Sequence, residues 1–186
     1  MNNEHNKTLI LLEIIGKGDI SMIKLKGIEK MNDKQRLDYL LLTLEGQLSS
    51  EKDPLANLSN ASALIYAIID RLNWAGFYLL RGEELVLGPF QGLPACNRIK
   101  LSAGVCGAAA RTRETQIVPN VHNFPGHIAC DSASNSELVV PIVKDNKVYG
   151  VLDLDSPEFD RFTELEGEYF ERFVEKLNQY IDWNKI

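Results

Sequence analysis

Cysteine and histidine are scarce in this sequence, basic runs and long apolar runs are missing, and each shortage removes a class of function. The three thiols, Cys96, Cys106 and Cys130, lie ten and twenty-four residues apart. That spacing excludes both a thioredoxin-like C-x-x-C motif and a zinc ribbon. Twenty Lys and Arg against twenty-six Asp and Glu give a formal net charge of -6. The basic residues are scattered, so no surface stripe is offered to a nucleic-acid backbone or an anionic membrane, and neither is an expected partner. The short apolar stretch TLILLEIIG is broken by Glu13 and lacks a basic leader and a small-residue cleavage site. Nothing after it approaches the roughly 20 apolar residues of a membrane span. The expected location is the cytoplasm, where thiols rest reduced and a structural disulfide framework is disfavoured, which leaves a transient reactive role open.

What is present suits one domain. The chain has 186 residues, 45% of them hydrophobic and 8% aromatic, and a domain of that size buries roughly 70% of its unfolded surface. Residues 1–30 are rich in Gly and Lys and hold neither helical nor strand period, so they are expected to be an N-terminal extension, either non-native or disordered, with Met31 as the candidate start. The domain is expected over 31–186. Leu37, Leu40, Leu41, Leu44 and Leu48 recur at helical steps from Lys34 to Ser50, and a second helix opens at Asp53 as N-cap with Pro54 behind it. WAGFYLL and ELVLGPF read as a hairpin turning at Gly82, followed by an edge-like strand in ACNRIKLS. Ser102 reads as the N-cap of a short Ala-rich helix, AGVCGAAARTR, and TQIVPNV as the next strand. A long aperiodic connection from Asn120 to Ser136 leads into ELVVPIV and KVYGVLDLDS, which flank the turn KDNK. Thr163 and Glu166 then form a capping box for a last amphipathic helix. The class is α+β, an antiparallel sheet with helices packed against it.

The chemistry concentrates between Cys96 and Asp155. Cys106 falls in the first turn of the Ala-rich helix, where the positive end of the helix dipole favours a thiolate; the plainer reading is a small residue packed in GVCGAAA. Cys130 ends the long loop beside Asp131, whose carboxylate would raise a thiol's pKa, although a loop gives the access a nucleophile needs. His122, His127 and Cys130 are a conceivable metal set, but H-x4-H-x2-C is no established ligand pattern, and local hydrogen bonding is the ordinary role for such histidines. No metal is expected. On a strand, Asp153 and Asp155 share one face about 6.5 to 7 Å apart, with Leu152 and Leu154 on the other. Such a pair can hold a cation, clamp an ammonium or sit solvated at a strand end. Glu137 enters an apolar strand whose walls would raise its pKa toward that of a proton donor. Trp74 and Tyr78 have equal parity, with Gly76 between them; they read as core aromatics or as walls of a pocket where Gly76 leaves room for a small apolar group.

Together, GVCG, GHIACDSASNSELVVP and VYGVLDLDSP resemble the free methionine-(R)-sulfoxide reductases, enzymes built on a GAF domain. The resemblance runs over about 31 to 175 and takes in the three cysteines, the Trp-Ala-Gly-Phe-Tyr strand, Glu137 and both aspartates in the family's order; it does not extend to the first 30 residues. It implies a single GAF domain with a central six-stranded antiparallel sheet, and thioredoxin-dependent reduction of the free R sulfoxide to methionine. By that resemblance Cys130 is the nucleophile, Cys96 the resolving thiol and Cys106 an alternative partner, against the dipole argument that favours Cys106. Glu137 and Asp155 become candidate proton donors, Asp153 the counter-charge for the substrate ammonium, and Trp74 with Tyr78 the enclosure of the S-methyl group. The expected electron source is thioredoxin, fed by NADPH through thioredoxin reductase, with no bound cofactor. A homodimer is expected by analogy with other GAF domains. The alternative class is a non-catalytic GAF module that binds a small ligand or senses redox state.

Overall fold

In the computed structural model, residues 25, 27–128, 130 and 132–186 are described; the expectations for residues 1–24, and for Asp131 beside Cys130, lie outside them. Two helices come first, α1 (Asp33–Ser50) and α2 (Pro54–Ile68). Asn32 caps α1 by accepting from the Gln35 N–H, and Asp53 caps α2 ahead of Pro54. The hairpin β1 (Trp74–Arg81) and β2 (Glu84–Gly92) follows, then β3 (Arg98–Lys100), α3 (Gly104–Thr112) and β4 (Gln116–Val118). β5 (Ser136–Lys144) and β6 (Lys147–Ser156) form a second hairpin, turned by Asp145 and Asn146 at φ 50° and 61°. The last helix is α4 (Glu164–Tyr180), where the Glu166 carboxylate accepts from the Thr163 N–H at 3.0 Å.

Six strands form one antiparallel sheet in the order β3-β2-β1-β6-β5-β4, so β1 and β6 occupy its centre, and β6 also carries the long pairing with β5. Period-two alternation then divides the molecule into two apolar layers. Ala75, Phe77 and Leu79 with Leu152 and Leu154 face α1, α2 and α4. Trp74, Tyr78, Val139 and Val151 face the other way, toward α3 and the 3-10 turn at Val121–Asn123. The small residues of α3 let it lie close to the sheet edge: a Cβ at Gly107 would come within 2.7 Å of the Lys100 carbonyl oxygen. The expected start of α3 is corrected by one residue. Ala103 is the N-cap, with no side-chain bond, because Ser102 is taken up in the tight turn that ends β3. No helix among the described residues is long and apolar enough to cross a membrane.

Candidate active site

Strand register brings the acids together. Glu137 pairs with Asp155 and Val139 with Asp153 across β5 and β6, while Trp74 and Gly76 oppose Asp155 and Asp153 across β1 and β6. Paired residues in an antiparallel ladder point to the same face. Glu137, Asp153, Asp155, Trp74 and Tyr78 therefore all lie on the α3 side, as the parity of the sequence predicts. The first turn of α3 covers them and sets Cys106 over the acids, with its thiol 3.9 Å from Glu137 Oε1.

The long connection closes this face from outside. It is tied down in its middle and near its end: the Gly104 N–H donates to the Gly126 carbonyl at 3.0 Å, and the Asn73 side-chain amide donates to Ser134 Oγ at 3.0 Å. Asn135 donates from its N–H to Ser156 and from its side chain to Pro157, both at 2.8 Å. Cys130, so held, is bonded to Cys96, with an S–S distance of 2.16 Å and Cα atoms 5.2 Å apart. Tyr78 supports the other half of the bridge by donating its hydroxyl to the Cys96 carbonyl at 3.0 Å. Cys106 is the free, buried thiol. Of the two resolving partners the sequence leaves open, Cys96 is thus the one joined to Cys130.

Beneath the disulfide lies a cavity of about 30 Å³ lined by Cys106, Cys130, Glu137, Asp153 and Asp155. Gly104, Val105, Ile99, His127, Ile128 and Ser134 complete the wall. The expected convergence of thiol and acids is present, and its volume is a correction: in the disulfide state the hollow suits a water molecule, not an amino acid. Trp74 and Tyr78 are not on its wall. The Trp74 ring stacks between Tyr78 and Phe90, at centroid distances of 5.8 and 5.3 Å. The space left by Gly76 is filled by these rings, since a Cβ there would stand 2.4 Å from Phe90 Cβ and 2.8 Å from the Trp74 indole.

Electrostatics overturn the helix-dipole argument for Cys106. Burial, then the negative charges of Asp153 and Glu137, push its thiol well above the usual range, because two buried acids beside a sulfur outweigh one helix end. Burial raises the carboxyls as well. Asp153 is pushed up to about 7, and Glu137 well above the carboxylate range by burial and the neighbouring Asp153 and Asp155. The cluster therefore retains a proton near neutrality. His122 and His127 form no metal set with Cys130: His122 Nε2 is hydrogen-bonded to Asn135 Oδ1 at 3.0 Å, and Cys130 is in the disulfide. Burial holds His127 below the usual imidazole range and so favours its neutral form. Ser134, Ile128 and Ile99 are wall residues that sequence reasoning missed; the only signal was the polar cluster SASNS, which reads as an ordinary loop.

A six-stranded sheet bearing a thiol and acid cavity on one face defines a GAF domain equipped for redox chemistry. The model of the GAF domain family matches residues 57–182. The chain is 48% identical to the free methionine-R-sulfoxide reductase of Escherichia coli, covering 72% of this chain and 81% of that protein. It is 44% identical to the enzyme of the same name from Saccharomyces cerevisiae, covering 80% and 87%. Its fold matches the crystal structure of free methionine-R-sulfoxide reductase from Neisseria meningitidis in complex with its substrate, with TM-score 0.79, 37% identity and 83% and 94% of the two chains covered. The chain belongs to the free methionine-R-sulfoxide reductase family of GAF-domain proteins.

Proposed function

We infer that this protein reduces free L-methionine (R)-S-oxide to methionine, using Cys130 as nucleophile and Cys96 as resolving thiol. The observation that carries this reading is the single cavity in which Cys130 meets Glu137, Asp153 and Asp155. A sulfoxide sulfur accepts a thiol only when its oxygen is protonated or strongly hydrogen-bonded, so the nucleophile needs an acid beside it that keeps its proton at neutral pH. Glu137 fills that role because burial and like charge hold its proton; Asp155, opposite it in the ladder, completes the acid pair. Attack transfers the oxygen to Cys130, releasing methionine and leaving a sulfenic acid. The Cys96 thiol displaces water from that sulfenic acid and closes the disulfide.

Selectivity for a free amino acid follows from charge. Three carboxyls line the cavity and no lysine or arginine does so among the described residues, so an uncapped ammonium supplies the missing positive charge, with Asp153 as its partner. The backbone N–H groups at the start of α3 suit the substrate carboxylate. Trp74 and Tyr78 form the floor against which the S-methyl group rests once the disulfide opens. A cavity that holds only a water in the oxidised state means that reduction must precede the next substrate. Thioredoxin or a similar dithiol, supplied by NADPH through thioredoxin reductase, restores both thiols by exchange. No cofactor is bound in this reading, the setting is the cytoplasm under oxidative stress, and the working form is a homodimer.

The test is NADPH oxidation coupled through thioredoxin reductase and thioredoxin, with free R, free S and N-acetylated methionine sulfoxide in parallel. Turnover confined to the free R compound is expected. Inertness toward all three, with tight binding of another small ligand, would instead select a non-catalytic GAF module.

A further inference from the structure

Cys106 has no task in that cycle. It stays free and buried while the other two thiols are joined, yet it is held on a helix against acids carried by β5 and β6. One ligating atom each from Cys106, Glu137 and Asp153 lies within 4.8 Å of the others, all three residues being buried. The sulfur and Glu137 Oε1 are 3.9 Å apart. On a tetrahedral zinc ion, with bonds of about 2.3 Å to sulfur and about 2.0 Å to oxygen, two such donors stand about 3.5 Å apart, so a small side-chain rotation closes the set.

A second observation points the same way. Asp153 Oδ1 is buried without a hydrogen-bond partner, in a residue only 6% exposed that lines the cavity. A buried carboxylate oxygen left so is costly unless something binds it. The cavity of about 30 Å³, the size of one water, has room for a single ion at these donors. A thiolate among only three protein donors suits a borderline-soft ion and disfavours magnesium or calcium, which require more oxygen ligands.

We propose that Cys106, Glu137 and Asp153 form a binding site for a thiophilic divalent cation of the zinc class, assembled while Cys96 and Cys130 are disulfide-bonded and kept when they are reduced, since neither of those cysteines belongs to it. On binding, the Cys106 thiol and any protonated carboxyl release their protons to solvent and no electron moves. The consequence for turnover rests on the reductase reading. An ion on Glu137 and Asp153 occupies the acid and the ammonium partner together and competes with the sulfoxide.

The full chain in its disulfide form, in which Cys106 is the only thiol left, is titrated with cobalt(II) and then competed with zinc. One cobalt per chain is expected, with a thiolate-to-cobalt charge-transfer band that zinc removes. Cys106→Ser should abolish the band, and Asp153→Asn or Glu137→Gln should weaken cobalt binding at least about tenfold, with circular dichroism reporting that each variant is folded. Absence of the band, its survival in Cys106→Ser, or undiminished affinity in both carboxamide variants would overturn the site. In a separate arm, zinc should suppress single-turnover methionine release by the prereduced protein, a chelator should restore it, and prereduced Cys106→Ser should be far less sensitive to zinc, which separates this site from zinc bound at Cys130. Cobalt binding without such suppression would overturn the competition. A protein that gives the band but never reduces sulfoxide would refute the reductase reading and leave the metal site standing.

Discussion

Asp153 carries a cost that can be measured apart from catalysis. An unfolded Asp titrates near 3.9, whereas burial pushes the native carboxyl up to about 7. Between those values the native state holds a proton that the unfolded chain has released, so this group's contribution to stability falls as pH rises through the window. Asp153→Asn removes the effect. Its urea midpoint should exceed that of the wild type at about pH 7.5 and lose that advantage at about pH 4.5; parallel midpoints at both values would contradict the assignment. Glu137→Gln keeps the shape and removes the proton, so single-turnover methionine release should fall by about 10²- to 10⁴-fold while the sulfoxide still binds. Cys130→Ser should abolish release altogether. Retained release in that variant, with loss in Cys106→Ser, would reverse the assignment of the nucleophile. At this scale the sequence was half legible. The parity of Asp153 and Asp155 follows from period two alone, but the pKa of Cys106 depends on Glu137 and Asp153, which are distant along the chain and reach it only through tertiary packing.

The elements were the most legible part, because apolar period and capping chemistry are local. Asp53 with Pro54, and Thr163 with Glu166, mark their helix starts where the sequence places them. Ser102 misled because a good capping residue one position early was recruited by the turn after β3. The capping box of α4 also has a tertiary role: Glu166 accepts from the buried Arg161 guanidinium at 2.5 Å, both side chains being 5% exposed or less. Glu166→Ala removes the cap and leaves the buried Arg161 guanidinium with only the longer Asp70 contacts at 3.3 and 3.4 Å, so it should cost about 3 kcal/mol, read as a lowered urea midpoint. In β1, Gly76→Ala must displace Phe90 or the Trp74 ring, since the new Cβ would meet both well inside contact distance. A loss of about 1 to 3 kcal/mol is expected, together with altered Trp74 fluorescence.

For the whole molecule, the two apolar layers divided by the sheet explain why the chemistry is found on one side. α1, α2 and α4 consume one face entirely, so the acids, the short helix and the long connection share the other. Residue spacing reached this architecture but not the cysteine pairing, for which only the family resemblance favoured Cys96 over Cys106, because intervals of ten and twenty-four residues constrain no distance in space and the register of the connection is set by the Asn73, Ser134 and Asn135 hydrogen bonds. On the proposed reading, opening the disulfide enlarges the cavity that Cys130 lines. The reduced protein should therefore bind free methionine sulfoxide in calorimetry and the oxidised protein should not; equal affinity in the two forms would contradict a redox-dependent pocket. The most direct measurement is intact mass after prereduced protein meets one equivalent of free R sulfoxide without reductant, followed by unfolding and alkylation. The account predicts one methionine released per chain, a disulfide joining Cys96 to Cys130, and a single alkyl group on Cys106. Three alkylated thiols with no methionine formed, or a disulfide that includes Cys106, would contradict it.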